Sequence, residues 1–137
     1  MYTVVIPPDV RAQMERHAGA GLPNEACGML LGTVDGSAYR VREAVLTPNR
    51  MESPVRFAIP DGDVLRAYQT AGERGMDVVG VYHSHPSSPA VPSETDAAYM
   101  ELNPGAWVIY SGLDGRMRAW IRDGPIAEMH IQTGTDA

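Results

Sequence analysis

Apolar positions along the chain fall into short alternating runs separated by helical stripes. Tyr2–Ile6 is β-branched and predicts a short strand. Pro7-Pro8-Asp9 then opens a helix to about Ala18, with prolines and an acid where a first turn tolerates them. Val10, Met14 and His17 or Ala18 recur at helical spacing. Ala26–Val34 is almost wholly apolar and predicts a buried strand. Asp35-Gly36 is a hairpin turn signal, and Ala38–Leu46 alternates and returns as the partner strand. Thr47–Pro54 reads as a loop and Val55–Ile59 as another short strand. Asp61 or Asp63 caps a second helix ending near Arg74, with Val64, Leu65, Tyr68 and Ala71 as its apolar face and Gly75 as its stop. Met76–His83 is nearly continuous in hydrophobicity, as a central strand covered on both faces would be. Ser93–Leu102 reads as a third helix, followed by strands at Ala106–Ser111, Met117–Arg122 and Ile126–Gln132. Strands interleaved with about three helices predict one α/β domain over residues 1–132 with a mixed sheet, and a frayed tail over 133–137.

Composition narrows the function classes. A chain of 137 residues is the size of one domain and can bury a core without disulfides. Its single cysteine, Cys27, excludes an internal disulfide and suits a reducing cytoplasm. The first residues lack the basic and apolar regions of a signal peptide, and no run approaches the ~18 apolar residues of a membrane span. A net charge of -6 disfavours nucleic acid as a partner. Every basic residue is arginine, a pattern expected of codon usage in a GC-rich bacterial genome.

The stretch YHSHPSSPAVPSETD, residues 82–96, carries the candidate chemistry. His83 and His85 lie at the end of the predicted central strand, where i and i+2 point to one face. Asp96 follows in the first turn of the next helix, after a small, turn-rich SSPAVP segment that can fold back. Two imidazoles and a carboxylate leave a fourth position for water, which is the open arrangement of catalytic zinc. A plainer reading stands beside this one: solvated histidines, and Ser93-x-x-Asp96 as a helix capping box. The two are compatible, because one serine can cap a helix and face a site.

Taken together, His83-x-His85-Pro86, six residues and Ser93-x-x-Asp96 resemble the JAMM (MPN+) metalloprotease motif at every fixed position. The upstream run PNEACGMLLG, with Glu25, Gly28, Leu30 and Gly32, resembles the segment in which that family carries its glutamate. The resemblance implies a mixed, mostly antiparallel sheet of cytidine-deaminase-like architecture. It implies one Zn2+ per chain, with a bound water, on His83, His85 and Asp96. Glu25 would be the general base, and Ser93 would donate a hydrogen bond to the oxyanion during hydrolysis of an amide. The EACG run around Glu25 resembles the stand-alone bacterial branch. That implies a substrate amide at the C-terminus of a ubiquitin-like or sulfur-carrier protein, with peptide or isopeptide linkage left open. The substrate tail is expected to add as a strand at the Val55–Ile59 edge. A homodimer is also left open.

The remaining acids and the thiol have simpler readings. Asp9, Asp61 and Asp63 read as helix caps, Glu43 and Glu52 as surface charges, and Glu94 has no assigned role. Cys27 reads as a buried residue, since a nucleophilic thiol needs a paired histidine and both candidates serve zinc better. The alternative function is a non-catalytic MPN-type scaffold, disfavoured because all five motif positions are intact. A zinc deaminase would need H-x-E and P-C-x-x-C, which the chain lacks. A DNA-repair relative fits poorly with the acidic balance.

Overall fold

In the computed structural model, which describes residues 1–134, β1 (Thr3–Ile6) runs into α1 (Pro8–Gly21). The hairpin β2 (Cys27–Asp35) and β3 (Ala38–Thr47) follows, then a long loop and α2 (Asp61–Glu73). Strand β4 (Asp77–His85) leads through a second loop to α3 (Glu94–Leu102), and β5 (Ala106–Ser111), β6 (Met117–Arg122) and β7 (Ile126–Thr133) finish the chain. The expected α/β domain is present, with three helices and a mixed sheet. Several boundaries move outward, the furthest being α1, which continues to Gly21, and β4, which continues to His85. Strand β7 ends at Thr133, one residue past the expected Gln132, and residues 135–137 of the expected tail lie outside the described residues.

The sheet order is β1-β3-β2-β4-β5-β6-β7, and β1 pairs with both β3 and β7, so the sheet closes on itself. The β1–β3, β1–β7 and β4–β5 pairs are parallel; β2–β3, β2–β4, β5–β6 and β6–β7 are antiparallel. The parallel β4–β5 pair requires a crossover, and α3 supplies it. Gly80 permits that pair to form, because a Cβ there would lie 2.1 Å from the Ala106 carbonyl oxygen.

Alternation along β4 divides its side chains between two cores. Tyr82 faces the cluster under α1 with Val4, Met14, Leu30 and Val108, and its hydroxyl donates to the Met14 carbonyl at 2.9 Å. Val81 faces the other way with Cys27, Phe57, Met100 and Trp107. His83 and His85 share the Val81 face, so the sheet itself delivers both imidazoles to the side covered by α3.

Three local expectations are corrected. Val55–Ile59 forms no strand: it belongs to the loop between β3 and α2. Its backbone groups at Arg56 and Ala58 bond to Asn49 and Arg50 rather than to a ladder partner, so it presents no sheet edge for a substrate tail. Neither Asp61 nor Asp63 caps α2; Pro60 takes the N-cap and both acids lie in the first turn, where they favour the helix dipole. Asp9 likewise sits in the first turn of α1, behind Pro7. The buried side of α2 is Ala67 and Ala71, with Val64 partly covered, whereas Leu65 and Tyr68 are exposed. Two alanines let the helix sit close on β2 and β4, which turns the larger residues outward.

Candidate metal centre

The last turn of β4 and the first turn of α3 meet at one point. The Nε2 atoms of His83 and His85 are 3.1 Å apart, and Asp96 Oδ2 lies 3.1 Å from the first and 3.0 Å from the second. A tetrahedral ion with bonds of about 2.0 Å would hold its ligands about 3.3 Å apart, so the three atoms are spaced as one face of such a site. All three residues are buried. Imidazole N–H groups aimed at each other across 3.1 Å would repel; lone pairs aimed at a shared cation would not. The donor set therefore fits zinc, with two nitrogens and one carboxylate oxygen.

Neighbouring groups fix how each of these side chains points. His85 Nδ1 donates to the Pro89 carbonyl at 2.8 Å, which places the proton on Nδ1 and leaves Nε2 free. Two further bonds hold the same loop: Ser111 Oγ donates to the Ser88 carbonyl at 2.7 Å, and Trp120 Nε1 to the Ala90 carbonyl at 2.9 Å. Three successive carbonyls between the histidines and Asp96 are thus pinned by side chains from β4, β5 and β6. His83 is held by packing instead. Phe57 stacks on it at 4.5 Å between ring centroids, and Trp107 meets it edge-on at 5.6 Å. Its Nδ1 is buried without a hydrogen-bond partner.

The expected capping box is present. Ser93 Oγ accepts the Asp96 N–H at 3.0 Å, and the Ser93 N–H donates to Asp96 Oδ2 at 2.9 Å. The cap and the site therefore share one carboxylate oxygen. Ser93 itself is exposed, and its hydroxyl proton remains free to donate outward.

The charges around this point are strongly perturbed. Burial opposes ionisation of Asp96, but bonds from His83 and His85 and the Ser93 amide outweigh it and hold the carboxyl well below the usual range. Burial pushes His83 down, against the pull of Asp96. His85 goes up: burial is outweighed by Asp96 and the Pro89 carbonyl. Glu25, just before β2, is buried and pushed up to about 8, first by burial, with the positive charge on His85 opposing and the Asp96 carboxylate adding to the shift. Glu25 stands close enough to feel His85 and Asp96, yet it is outside the converging trio.

Cys27 is fully buried, pairs in register with His83, and has its thiol near Thr47 Oγ1 at 3.5 Å. Burial raises its pKa, which suppresses the thiolate a nucleophile needs. Glu43 is tied to Arg74 at the surface, and Glu52 is exposed. The contacts that sequence reasoning missed are Phe57, Trp107, Ser111 and Trp120. An apolar groove of about 220 Å³ opens beside Phe57, between Tyr68 on α2 and Tyr99 on α3, floored by Met29, Val81 and Trp107.

Fold and site together define a JAB/MPN-type domain, and comparison with known proteins places it further. Residues 7–123 match the family described as prokaryotic homologs of the JAB domain. The chain is 35% identical over 97 residues to a desampylase of Pyrococcus furiosus, covering 71% of this chain and 66% of that one. It is 31% identical over 132 residues to the CysO-cysteine peptidase of Mycobacterium tuberculosis, covering 93% of this chain and 89% of that one. A solution structure of a protein from Desulfitobacterium hafniense superposes with a TM-score of 0.86 at 28% identity, covering 99% and 94% of the two chains. The chain belongs to the prokaryotic JAB family, stand-alone members of the JAMM-type hydrolases.

Proposed function

We propose that this chain is a zinc-dependent peptidase or isopeptidase that hydrolyses an amide at the C-terminus of a ubiquitin-like or sulfur-carrier protein, and that it does so in the cytoplasm. The observation that carries the reading is the convergence of His83, His85 and Asp96 within hydrogen-bond distance of one another, with the buried carboxyl of Glu25 beside them. The relatives named for CysO-cysteine and desampylase activities support the substrate class.

His83, His85 and Asp96 would hold the ion. When bound, zinc polarises a carbonyl and lowers the pKa of water to about 7. Glu25 takes a proton from the attacking water and returns it to the departing amine. A carboxyl whose pKa lies between the usual range and neutrality or above is suited to both transfers, and a nearby cation draws Glu25 down from about 8 toward the working pH. Ser93 donates its free hydroxyl proton to the carbonyl oxygen as charge builds there. Phe57 and Trp107 keep water from the back of His83.

The experiment is to incubate the zinc-loaded protein with sulfur-carrier proteins extended at the C-terminus and to read products by mass spectrometry. Cleavage that disappears with chelator and in Glu25→Gln is expected. Cleavage that survives both would refute the mechanism, and stoichiometric zinc without any cleavage would favour a scaffold.

A further inference from the structure

The sheet's hold ends at Ala26, which is bonded to Ser84 on β4; the backbone groups of Glu25 itself turn elsewhere. Its N–H donates to the Ser53 carbonyl at 2.8 Å, and its carbonyl accepts from Asn49 Nδ2 at 3.0 Å. Both bonds go to the loop between β3 and α2, residues 48–60, which is long for a connection without secondary structure of its own. That loop must therefore be ordered for Glu25 to be placed.

Asn49 orders it. Its amide has two donor protons and two acceptor lone pairs, and all four are used. Nδ2 donates to the carbonyls of Glu25 at 3.0 Å and Arg56 at 2.9 Å. Oδ1 accepts the N–H groups of Met51 and Ala58, each at 3.0 Å. The bonds to Arg56 and Ala58 bracket Phe57, the ring stacked on His83. One half-buried side chain thus ties the backbone of the acid to the backbone of the ring that covers a histidine.

We propose that Asn49 is the positioning residue of this site: it sets Glu25 and Phe57 against the two histidines through its four hydrogen bonds. The inference rests on the reading of Glu25 as proton carrier. Asn49→Asp is the discriminating change, because it keeps shape and both acceptors while removing both donors. It would set a carboxylate against the carbonyl oxygens of Glu25 and Arg56.

The test has two arms, both on the zinc-loaded full chain. The first is amide hydrogen exchange, which needs no substrate. Asn49→Asp should speed exchange at Glu25, whose N–H is held by the loop, by about tenfold or more, while Met51 and Ala58, which keep an acceptor, and the β4 and β5 amides retain their protection. Unchanged exchange at Glu25 overturns the proposal. The second arm is turnover of a C-terminally extended sulfur-carrier protein. Asn49→Asp should lower kcat by about 10–10²-fold, with KM within about twofold and zinc retained, as a misplaced catalytic group does. An unchanged kcat, or a loss accounted for by released zinc, overturns the proposal. Asn49→Ser, which keeps one donor and one acceptor, gives the same readings in smaller measure if the aspartate variant does not fold. If the wild-type protein cleaves no such substrate, the proposed function fails, while the exchange arm still decides whether Asn49 holds Glu25.

Discussion

At the residue scale, the same burial that would suit Glu25 to the proposed proton transfer makes it a liability in metal-free protein. An unfolded glutamate titrates near about 4.3, and folding raises Glu25 to about 8. Between those values the folded chain retains a proton that the unfolded chain releases, so stability falls as pH rises through this window and levels off above it. Glu25→Gln removes the titration. Melting temperatures of chelated wild-type protein should decline from pH 5 to 8, and those of the variant should decline less; parallel curves would mean that Glu25 is not the responsible group. Ser93 offers a second test. Losing the cap in Ser93→Ala costs about 1 kcal/mol, whereas losing an oxyanion donor costs about 10²-fold in kcat. Zinc retention with a kcat loss of that size is expected, and an unchanged kcat would leave Ser93 as a cap alone.

At the element scale, the site is the junction of β4, the loop over residues 86–92 and α3, and its accuracy depends on what pins that loop. Trp120 reaches the Ala90 carbonyl from β6. Trp120→Phe keeps most of the ring and deletes the donor, so it should weaken zinc binding by about tenfold through a looser approach of Asp96. Competition against a chromophoric chelator measures this, and unaltered affinity would show that the His85 and Ser111 bonds suffice. This junction also shows which features were legible beforehand. His83 and His85 could be paired from i, i+2 spacing on a strand, and Ser93 and Asp96 from the chemistry of a helix start, because both relations are local. Trp120 and Ser111 come from strands that only the closed sheet brings near, and no spacing announces them. The Val55–Ile59 run looked like a strand for a sound local reason, its β-branched and aromatic content. What overrode it was the Asn49 side chain, which takes the backbone groups a ladder would have used.

At the scale of the whole molecule, the three proposed ligands come from two elements, β4 and α3, so metal binding should register as global stability. An ion that binds only the folded chain stabilises it by about 2.7 kcal/mol at a free concentration of about 100 times Kd, which for a domain of this size is about 10 °C in Tm. The size of that increment should depend on pH in a definite direction. His85 is raised above its ordinary value of about 6.5 because Asp96 and the Pro89 carbonyl outweigh its burial. In chelated protein it therefore adds stability at low pH that is lost as pH rises through its folded pKa. The ion must displace that proton to bind, so below the His85 pKa its affinity falls about tenfold per pH unit, or about 1.4 kcal/mol. His83, pushed down by burial, gives up its proton at a lower pH than His85 and imposes less of this cost. Glu25 acts in the same sense, since a cation relieves its burial penalty most where the carboxyl would ionise. The Tm difference between zinc-loaded and chelated protein should accordingly widen from pH 5 to pH 8. A difference that stays constant across that range would mean that binding displaces no proton, and His85 would not be a ligand.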